Sequence, residues 1–441
     1  MAGQMIRNFR QRDGLARILP WNVRMTRLLR SVAASACSVL IALTACAHVR
    51  PPLVVPKMTV TEPAFVTTME AYTNAAVTPG NRVDVLLNGD QIFPAQVEAI
   101  RAARKSITYA QYFYEDGRPA VQIVKAISER CRAGIRARVL LDAFGSLKMP
   151  AELTQELEQS GCYVASFRPL TPWTADNANN RNHRRILVVD ARTGFTGGSG
   201  ASSKWMGDGR QKGQWRETDI RVEGPAVNDL QGAFAENWLE ATGEMLGGDA
   251  FFAPQPSRGS VVAQVVRSSP ASGSIAMYNM YLLALSSARR NIFLTNPYFL
   301  PDERMAQSLV EARGRGVRVV LLLPGAIDNN IVRQASRAGF GKLFDAGVEI
   351  YEYQPGLLHA KTLAVDGIWA TVGSANVDNR SFALNEELNV ALYDAGMTGR
   401  LEKIFAEDVA HSRRVDEKRW RSRGPITRLL EWFSIPLRGQ L

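Results

Sequence analysis

From about residue 81 onward, short apolar runs alternate with stretches of helical periodicity. Residues 107–114, 136–141 and 186–189 are runs of buried-strand type, while 121–132 and 225–242 place apolar side chains at helical spacing. Such alternation predicts an α/β fold in which helices cover a sheet. Upstream, residues 46–80 carry Pro51, Pro52, Pro56, Pro63 and Pro79 with little periodicity, the pattern of a tether.

The pattern then repeats. Ala102-Ala103-Arg104-Lys105-Ser106-Ile107 leads into an apolar run, and Ser287-Ala288-Arg289-Arg290-Asn291-Ile292 does the same 185 residues later. Arg132-Ala133-Gly134-Ile135-Arg136 and Arg313-Gly314-Arg315-Gly316-Val317-Arg318 likewise both precede a hydrophobic run. Two homologous halves, 81–250 and 260–410, are the expected organisation.

Only four histidines occur. His48 and His411 lie toward the chain ends, whereas His183 and His359 fall at matching places in the halves, 176 residues apart. The second copy reads His359-Ala360-Lys361, four residues, Asp366, six more, then Gly373-Ser374-Ala375-Asn376. The first reads His183-Arg184-Arg185, four residues, Asp190, six more, then Gly197-Gly198-Ser199-Gly200. In extended chain, residues two apart share a face, so each histidine stands beside a cation, Lys361 or Arg185. An imidazole so placed can attack a phosphoryl centre or protonate its leaving group while the cation holds the oxygens. Ser374 and Asn376 add neutral donors to the same oxyanion.

Each histidine also needs a carboxylate on its other ring nitrogen to set its tautomer. Asp219, 36 residues after His183, and Glu387, 28 after His359, are the expected orienting pair. Asp190 and Asp366, at strand ends, are expected to buttress the site through salt bridges. The sequence has no Walker loop and no zinc constellation, so no metal and no other cofactor is expected.

The duplicated pattern resembles the signature of the phospholipase D superfamily, H-x-K-x4-D followed by G-S/G-x-N, which the second copy matches in full. Over roughly residues 81–410 the chain is similar to bacterial cardiolipin synthases, including residues 215–225, Asn296-Pro297-Tyr298-Phe299 and Asp378-Asn379-Arg380-Ser381-Phe382. The resemblance implies a duplicated phospholipase D-like fold: two pseudo-symmetric halves, each a mixed sheet flanked by helices, with the site at their interface. It also implies phosphatidyl transfer without metal, through a covalent phosphatidyl-histidine. His183 would be the nucleophile and His359 the acid/base, with Lys361, Arg185, Ser374 and Asn376 on the phosphoryl oxygens. The first copy departs twice from the pattern. Arg185 replaces Lys with a bulkier, forked cation, and Gly200 replaces Asn, removing a donor.

At the N-terminus, Arg24, Arg27 and Arg30 precede an uncharged apolar stretch, residues 31–45, that closes on Leu43-Thr44-Ala45-Cys46. A basic segment before a short apolar one is an export signal, and the closing residues resemble the bacterial lipobox. That resemblance implies removal of residues 1–45 and acylation of Cys46. With Ala47 rather than Asp following, it implies sorting to the outer membrane, on its periplasmic side. Cys37 lies in the apolar stretch. Cys131 and Cys162 are expected as two buried thiols, since nothing in their spacing demands a bond.

The formal charge of +11 comes from the two ends: residues 1–30 contribute +6 and residues 411–441 contribute +5. A nucleic-acid binder spreads positive charge along its binding face, so no nucleic-acid partner is expected. Charge at the ends suits a membrane surface. In residues 411–441, Arg413, Arg414, Lys418, Arg419, Arg421 and Arg423 precede Ile426, Leu429, Leu430, Trp432, Phe433 and Ile435, a basic amphipathic tail suited to an anionic bilayer. With 46% apolar and 22% charged residues the body is globular, which excludes disorder and a polytopic membrane protein.

The expected partners are a phospholipid substrate, phosphatidylglycerol or phosphatidylethanolamine, and a membrane surface. A monomer is expected, because one chain carries both motifs. Competing readings are a phospholipase D that transfers to water, a phosphodiesterase acting on nucleic acid, and a non-catalytic lipid-binding lipoprotein. Only Arg185 and Gly200 favour the last.

Overall fold

The computed structural model describes residues 54–171 and 179–434. The export signal, with Cys37, Cys46 and His48, lies outside the described residues. In the first half run β1 (Val77–Leu87), β2 (Ser106–Gln111), β3 (Arg136–Asp142), β4 (Tyr163–Phe167), β5 (Ile186–Val189), β6 (Thr193–Gly197), β7 (Trp215–Arg216) and β8 (Thr218–Glu223). In the second run β9 (Val261–Ser268), β10 (Asn291–Thr295), β11 (Arg318–Pro324), β12 (Glu349–Tyr353), β13 (Leu357–Leu358), β14 (Thr362–Val365), β15 (Trp369–Gly373) and β16 (Glu387–Tyr393), followed by β17 (Ser412–Arg414).

The sheet order states the duplication. The first half is ordered β4-β3-β2-β5-β6-β8-β1 and the second β12-β11-β10-β14-β15-β16-β9, so each strand has a counterpart in the same place. Within each half three neighbouring strands are parallel and the rest antiparallel. Antiparallel pairing of β1 with β9, Val77 opposite Gln264 and Thr78 opposite Ala263, joins the halves into one sheet. Central strands such as β2, β5 and β15 are buried on both faces, which is why they read as unbroken apolar runs. One face packs under helices of its own half. The other forms a core shared between halves, where Val85, Ile186, Ile220 and Val222 meet Ala370, Val372, Leu388 and Val390.

Two expectations are corrected here. The tether stops short of residue 80, because Pro63–Thr73 is a helix and β1 begins at Val77. Pro63 sits in the first turn, where its missing N–H costs nothing, and Asn74 ends the helix in the left-handed conformation. Phe65 and Met69 of this helix are buried in the core of the second half.

Cys131 and Cys162 are not free thiols but a disulfide, with Cα atoms 5.4 Å apart. The parallel register of β3 on β4, Arg138 opposite Tyr163, brings the residues that lead into both strands side by side. The second half ties the same corner with an arginine. Aligning Gly134-Ile135-Arg136 with Gly316-Val317-Arg318 puts Arg313 at the place of Cys131, and its guanidinium donates to Val317 O at 2.8 Å and Ala346 O at 3.3 Å.

The start of the basic tail is built into the body. β17 pairs with β12, and Trp420 is buried against Phe344. No helix among the described residues is long and apolar enough to cross a membrane.

Candidate active site

His183 and His359 lie on the extended segments that enter β5 and β14, and each segment is hydrogen-bonded to the opposite half. His183 N donates to Glu386 O at 2.9 Å and Glu386 N to Arg181 O at 2.9 Å. His359 N donates to Arg216 O at 2.8 Å, and β13 pairs in parallel with β7. Period-2 alternation turns Arg184 away from its neighbours and into the protein. Fully buried, it bonds Ala233 O and Ser268 O at 2.9 Å and pairs with Glu386 at 3.2 Å, pinning the halves together. Breaking such a buried pair by removing one partner costs about 3–5 kcal/mol.

The carboxylates cross over in the same way. His183 Nδ1 lies 2.8 Å from Glu387 Oε1, and His359 Nδ1 lies 2.6 Å from Glu217 Oε2. The expected pairing is therefore corrected twice: Glu387 orients the other half's histidine, and Asp219 orients neither. Strand register gives the reason. Gly197 stands opposite Asp219 and Gly373 opposite Asn389, so Glu217 is the counterpart of Glu387 and Asp219 of Asn389. Asp219 instead accepts from Gly198 N, Ser199 N and Ser199 Oγ, holding the glycine turn. The recurrence of Glu217-Thr218-Asp219 as Glu387-Leu388-Asn389 is the sequence signal that identifies the pair.

Asp190 and Asp366 are also corrected. They stand seven residues of extended chain beyond their histidines, roughly 23 Å away. They act on backbone rather than through salt bridges: Asp190 accepts from the amides of Arg104, Lys105 and Ser106, and Asp366 from those of Arg289, Arg290 and Asn291. Each anchors the repeated basic corner that leads into β2 or β10.

The remaining nominated groups do gather at the histidines. Lys361 Nζ is 3.0 Å from His359 Nδ1, and Arg185 donates to His183 O at 2.5 Å. Ser374 Oγ bonds Glu387 at 2.5 Å, so it serves the carboxylate rather than a phosphoryl oxygen. Ser381, missed in the sequence, bonds the other oxygen of Glu387 at 2.7 Å. Arg185 Nε and Asn376 Oδ1 are buried without a partner. An unmet buried donor costs about 1–3 kcal/mol, which a bound phosphoryl oxygen would relieve at Arg185.

The loss of Asn at position 200 has a visible cause. A Cβ there would stand 2.8 Å from the ring of Trp205. That indole donates from Nε1 to Glu217 Oε2 at 3.1 Å, and its ring meets His359 edge-on at 5.2 Å. Trp205 thus fills the space and supplies the support that hydroxyls give Glu387. Tyr112 packs edge-on to His183 at 4.8 Å.

Burial dominates the electrostatics. It pushes His183 well below its usual value, reinforced by Arg185, Lys361 and Arg380, and takes His359 down to about 4, with Lys361 adding to the effect. Burial also lowers Lys361 to about 7 and raises Glu387 to about 7. Glu217 goes the other way: burial alone would raise it, but Lys361 and His359 outweigh that and hold it at about 2. Both imidazoles therefore rest neutral. The ionised Glu217 accepts Nδ1–H of His359, leaving Nε2 as the working atom. Among the described residues, no group of three or more His, Cys, Asp or Glu could hold a metal ion.

A family model described as "Cardiolipin synthase, PLD-like domain" matches residues 281–409. Cardiolipin synthase of Geobacillus kaustophilus (strain HTA426) is 34% identical over 363 residues, 81% of this chain and 72% of that one. This chain belongs to the cardiolipin synthase family. Cardiolipin synthase 2 of Bacillus anthracis is 34% identical over 354 residues, covering 78% of this chain and 68% of its own length. The fold is shared with phosphatidylserine synthase of Haemophilus influenzae Rd KW20, at a TM-score of 0.64 and 13% identity over 85% of this chain and 99% of that one. As a member of the cardiolipin synthase family, the chain is a phospholipase D-type phosphatidyltransferase that acts on phospholipids.

Proposed function

We propose that this enzyme joins two molecules of phosphatidylglycerol into cardiolipin, with His183 as nucleophile and His359 as acid/base. The observation that carries the reading is the crossed pair of imidazoles, each held at Nδ1 by a carboxylate of the opposite half. His183 Nε2 attacks the donor phosphorus, and the bond from phosphorus to the headgroup oxygen breaks. His359, protonated at Nε2 from solvent as the phosphodiester anion binds, gives that proton to the oxygen, and glycerol leaves. The hydroxyl of a second phosphatidylglycerol then loses its proton to His359 and attacks phosphorus, releasing His183. Lys361, Arg185 and Asn376 stabilise the phosphoryl oxygens in both steps.

The unequal carboxylates support this division of labour. An ionised Glu217 favours an imidazolium at His359, which the acid requires, whereas Glu387, drawn toward protonation, leaves His183 neutral for attack. The arriving phosphodiester anion offsets the charge of Lys361 and raises the proton affinity of His359 when the acid is needed.

The site of action in this reading is the periplasmic side of the outer membrane, with the enzyme anchored through acylated Cys46. The Cys131–Cys162 disulfide supports an oxidising compartment, and the basic C-terminal residues support an anionic surface. Completion of the site by one chain supports a monomer.

The test is a mass-resolved product assay on the purified mature protein with phosphatidylglycerol in excess chelator, beside His359→Ala. Cardiolipin from the wild type alone is the expected result. Phosphatidic acid as the main product would make water the acceptor and overturn the synthase reading.

A further inference from the structure

The motif Asp378-Asn379-Arg380-Ser381-Phe382 leaves one strong group with no part in the chemistry above. Arg380 is the residue before Ser381, whose hydroxyl bonds the Glu387 carboxylate that orients His183. Its guanidinium, half-buried, reaches the segment that leads into His183. There both arms donate to one neutral acceptor, Asn179 Oδ1, at 2.8 Å.

Two arginines of this region are held by carboxylates: Arg168 by Glu240 and Glu386, Arg184 by Glu386 and Glu236. Among the described residues Arg380 has no ion pair of this kind. Its charge nevertheless acts on His183 and on Tyr112, whose ring lies against His183. Asp378, the adjacent carboxyl, is pushed up to about 7 by burial and so offsets that charge only in part.

Joining two phospholipids brings two phosphodiesters to one site. One is broken at the histidines, between Lys361 and Arg185. The other belongs to the acceptor, stays intact and keeps its negative charge one glycerol length from the attacking hydroxyl. Water and simple alcohols carry no such group. A half-buried guanidinium beside the site, with no carboxylate partner among the described residues, can take that anion by charge-assisted hydrogen bonds.

We infer that Arg380 forms the binding site for the acceptor phospholipid's own phosphodiester and thereby selects an anionic lipid acceptor over water or a neutral alcohol. The inference rests on the proposed synthase reading.

The test offers the purified protein phosphatidylglycerol in micelles with ethanol added, so that acceptors with and without a phosphate compete for the same phosphatidyl-enzyme. Hydrogen bonds to charged groups are worth about 1.5–3 kcal/mol, so Arg380→Gln is expected to lower the ratio of cardiolipin to phosphatidylethanol about tenfold or more. Arg380→Lys, which keeps the charge, should recover part of the ratio. An unchanged ratio in Arg380→Gln, whether or not total turnover falls, overturns the inference and assigns Arg380 to general support. A wild type that makes phosphatidylethanol but no cardiolipin overturns the synthase reading itself, and this inference with it.

Discussion

Around His183 the orienting carboxylate, Glu387, is held by two hydroxyls, Ser374 and Ser381. Around His359 the equivalent carboxylate, Glu217, is held by the Trp205 indole and the Thr218 amide, with Lys361 close by. The strand order is the same in both halves, and so is the crossing of carboxylate to opposite histidine. The supporting groups differ, and so do the cations, Arg185 and Lys361. Burial draws Glu387 toward protonation, whereas Lys361 and His359 outweigh burial at Glu217 and hold it firmly ionised. Duplication supplies two matching imidazoles, and the division of work proposed for them follows their unequal surroundings. Gly198 and Gly200, which look like losses beside Ser374 and Asn376, are the room that Trp205 and Glu217 occupy.

The largest way to break the comparison is to remove each imidazole. His183→Ala and His359→Ala are each expected to lower phosphatidyl transfer about 10⁴-fold or more. They should part company on a donor with an acidic leaving group such as a nitrophenol. That donor needs no general acid, so His359→Ala should still release nitrophenol and His183→Ala should not. Equal loss on this donor would mean that the two histidines are not divided as nucleophile and acid.

Next come the carboxylates. Glu217→Gln and Glu387→Gln should each cost about 10²–10⁴-fold in kcat by analogy with other oriented histidines. Only Glu217→Gln should move the pH profile. Losing the ionised carboxylate weakens the hold of His359 on its proton, so the alkaline limb of kcat shifts to lower pH. An identical shift in Glu387→Gln would erase the distinction between the half-sites.

Much of this arrangement can be read from the sequence, and what cannot has a common cause. The two histidines, their cations and the glycine turns repeat at fixed spacing, and local periodicity alone places them on matching extended segments. The choice of Glu217 over Asp219 depends on which residue a neighbouring strand sets opposite Gly197, and the partner histidine lies in the other half. Counting from His183 cannot reveal it. The Cys131–Cys162 bond likewise follows from parallel register, and the helix at Pro63 from packing of Phe65 and Met69 across the chain. Long-range pairing is the information that local pattern lacks.

A smaller effect sharpens the role of the indole. Trp205→Phe keeps most of the packing but removes one donor to Glu217; the carboxylate stays ionised and less shared, so kcat should fall about tenfold while the alkaline limb moves slightly upward. Ser374→Ala, the matching change in the other half, should leave that limb in place. If Trp205→Phe changes KM alone, the indole acts on binding rather than on His359.

The smallest expected effect is on stability. Asp219 is raised to about 7 by burial and by Glu217, whereas its counterpart, Asn389, is neutral. A carboxyl whose folded value exceeds its unfolded value of about 3.9 stabilises the fold only while it is protonated. That contribution is lost as pH rises from about 4 to about 7. Asp219→Asn should therefore stabilise the protein by about 1–2 kcal/mol at pH 8, with the gain shrinking toward pH 4. Thermal unfolding at the two pH values checks this, and a gain that is larger at the lower pH would refute it.

The central claim, that two like half-sites perform unlike steps, is tested most directly by locating the covalent intermediate. The wild type and His359→Ala would each be mixed with phosphatidylglycerol, quenched in base to preserve a phosphoramidate, digested and mapped by mass. The phosphatidyl group is expected on the peptide carrying His183, on the time scale of turnover in the wild type. A phosphatidyl group on His359 instead, or turnover with neither histidine modified, would contradict the account.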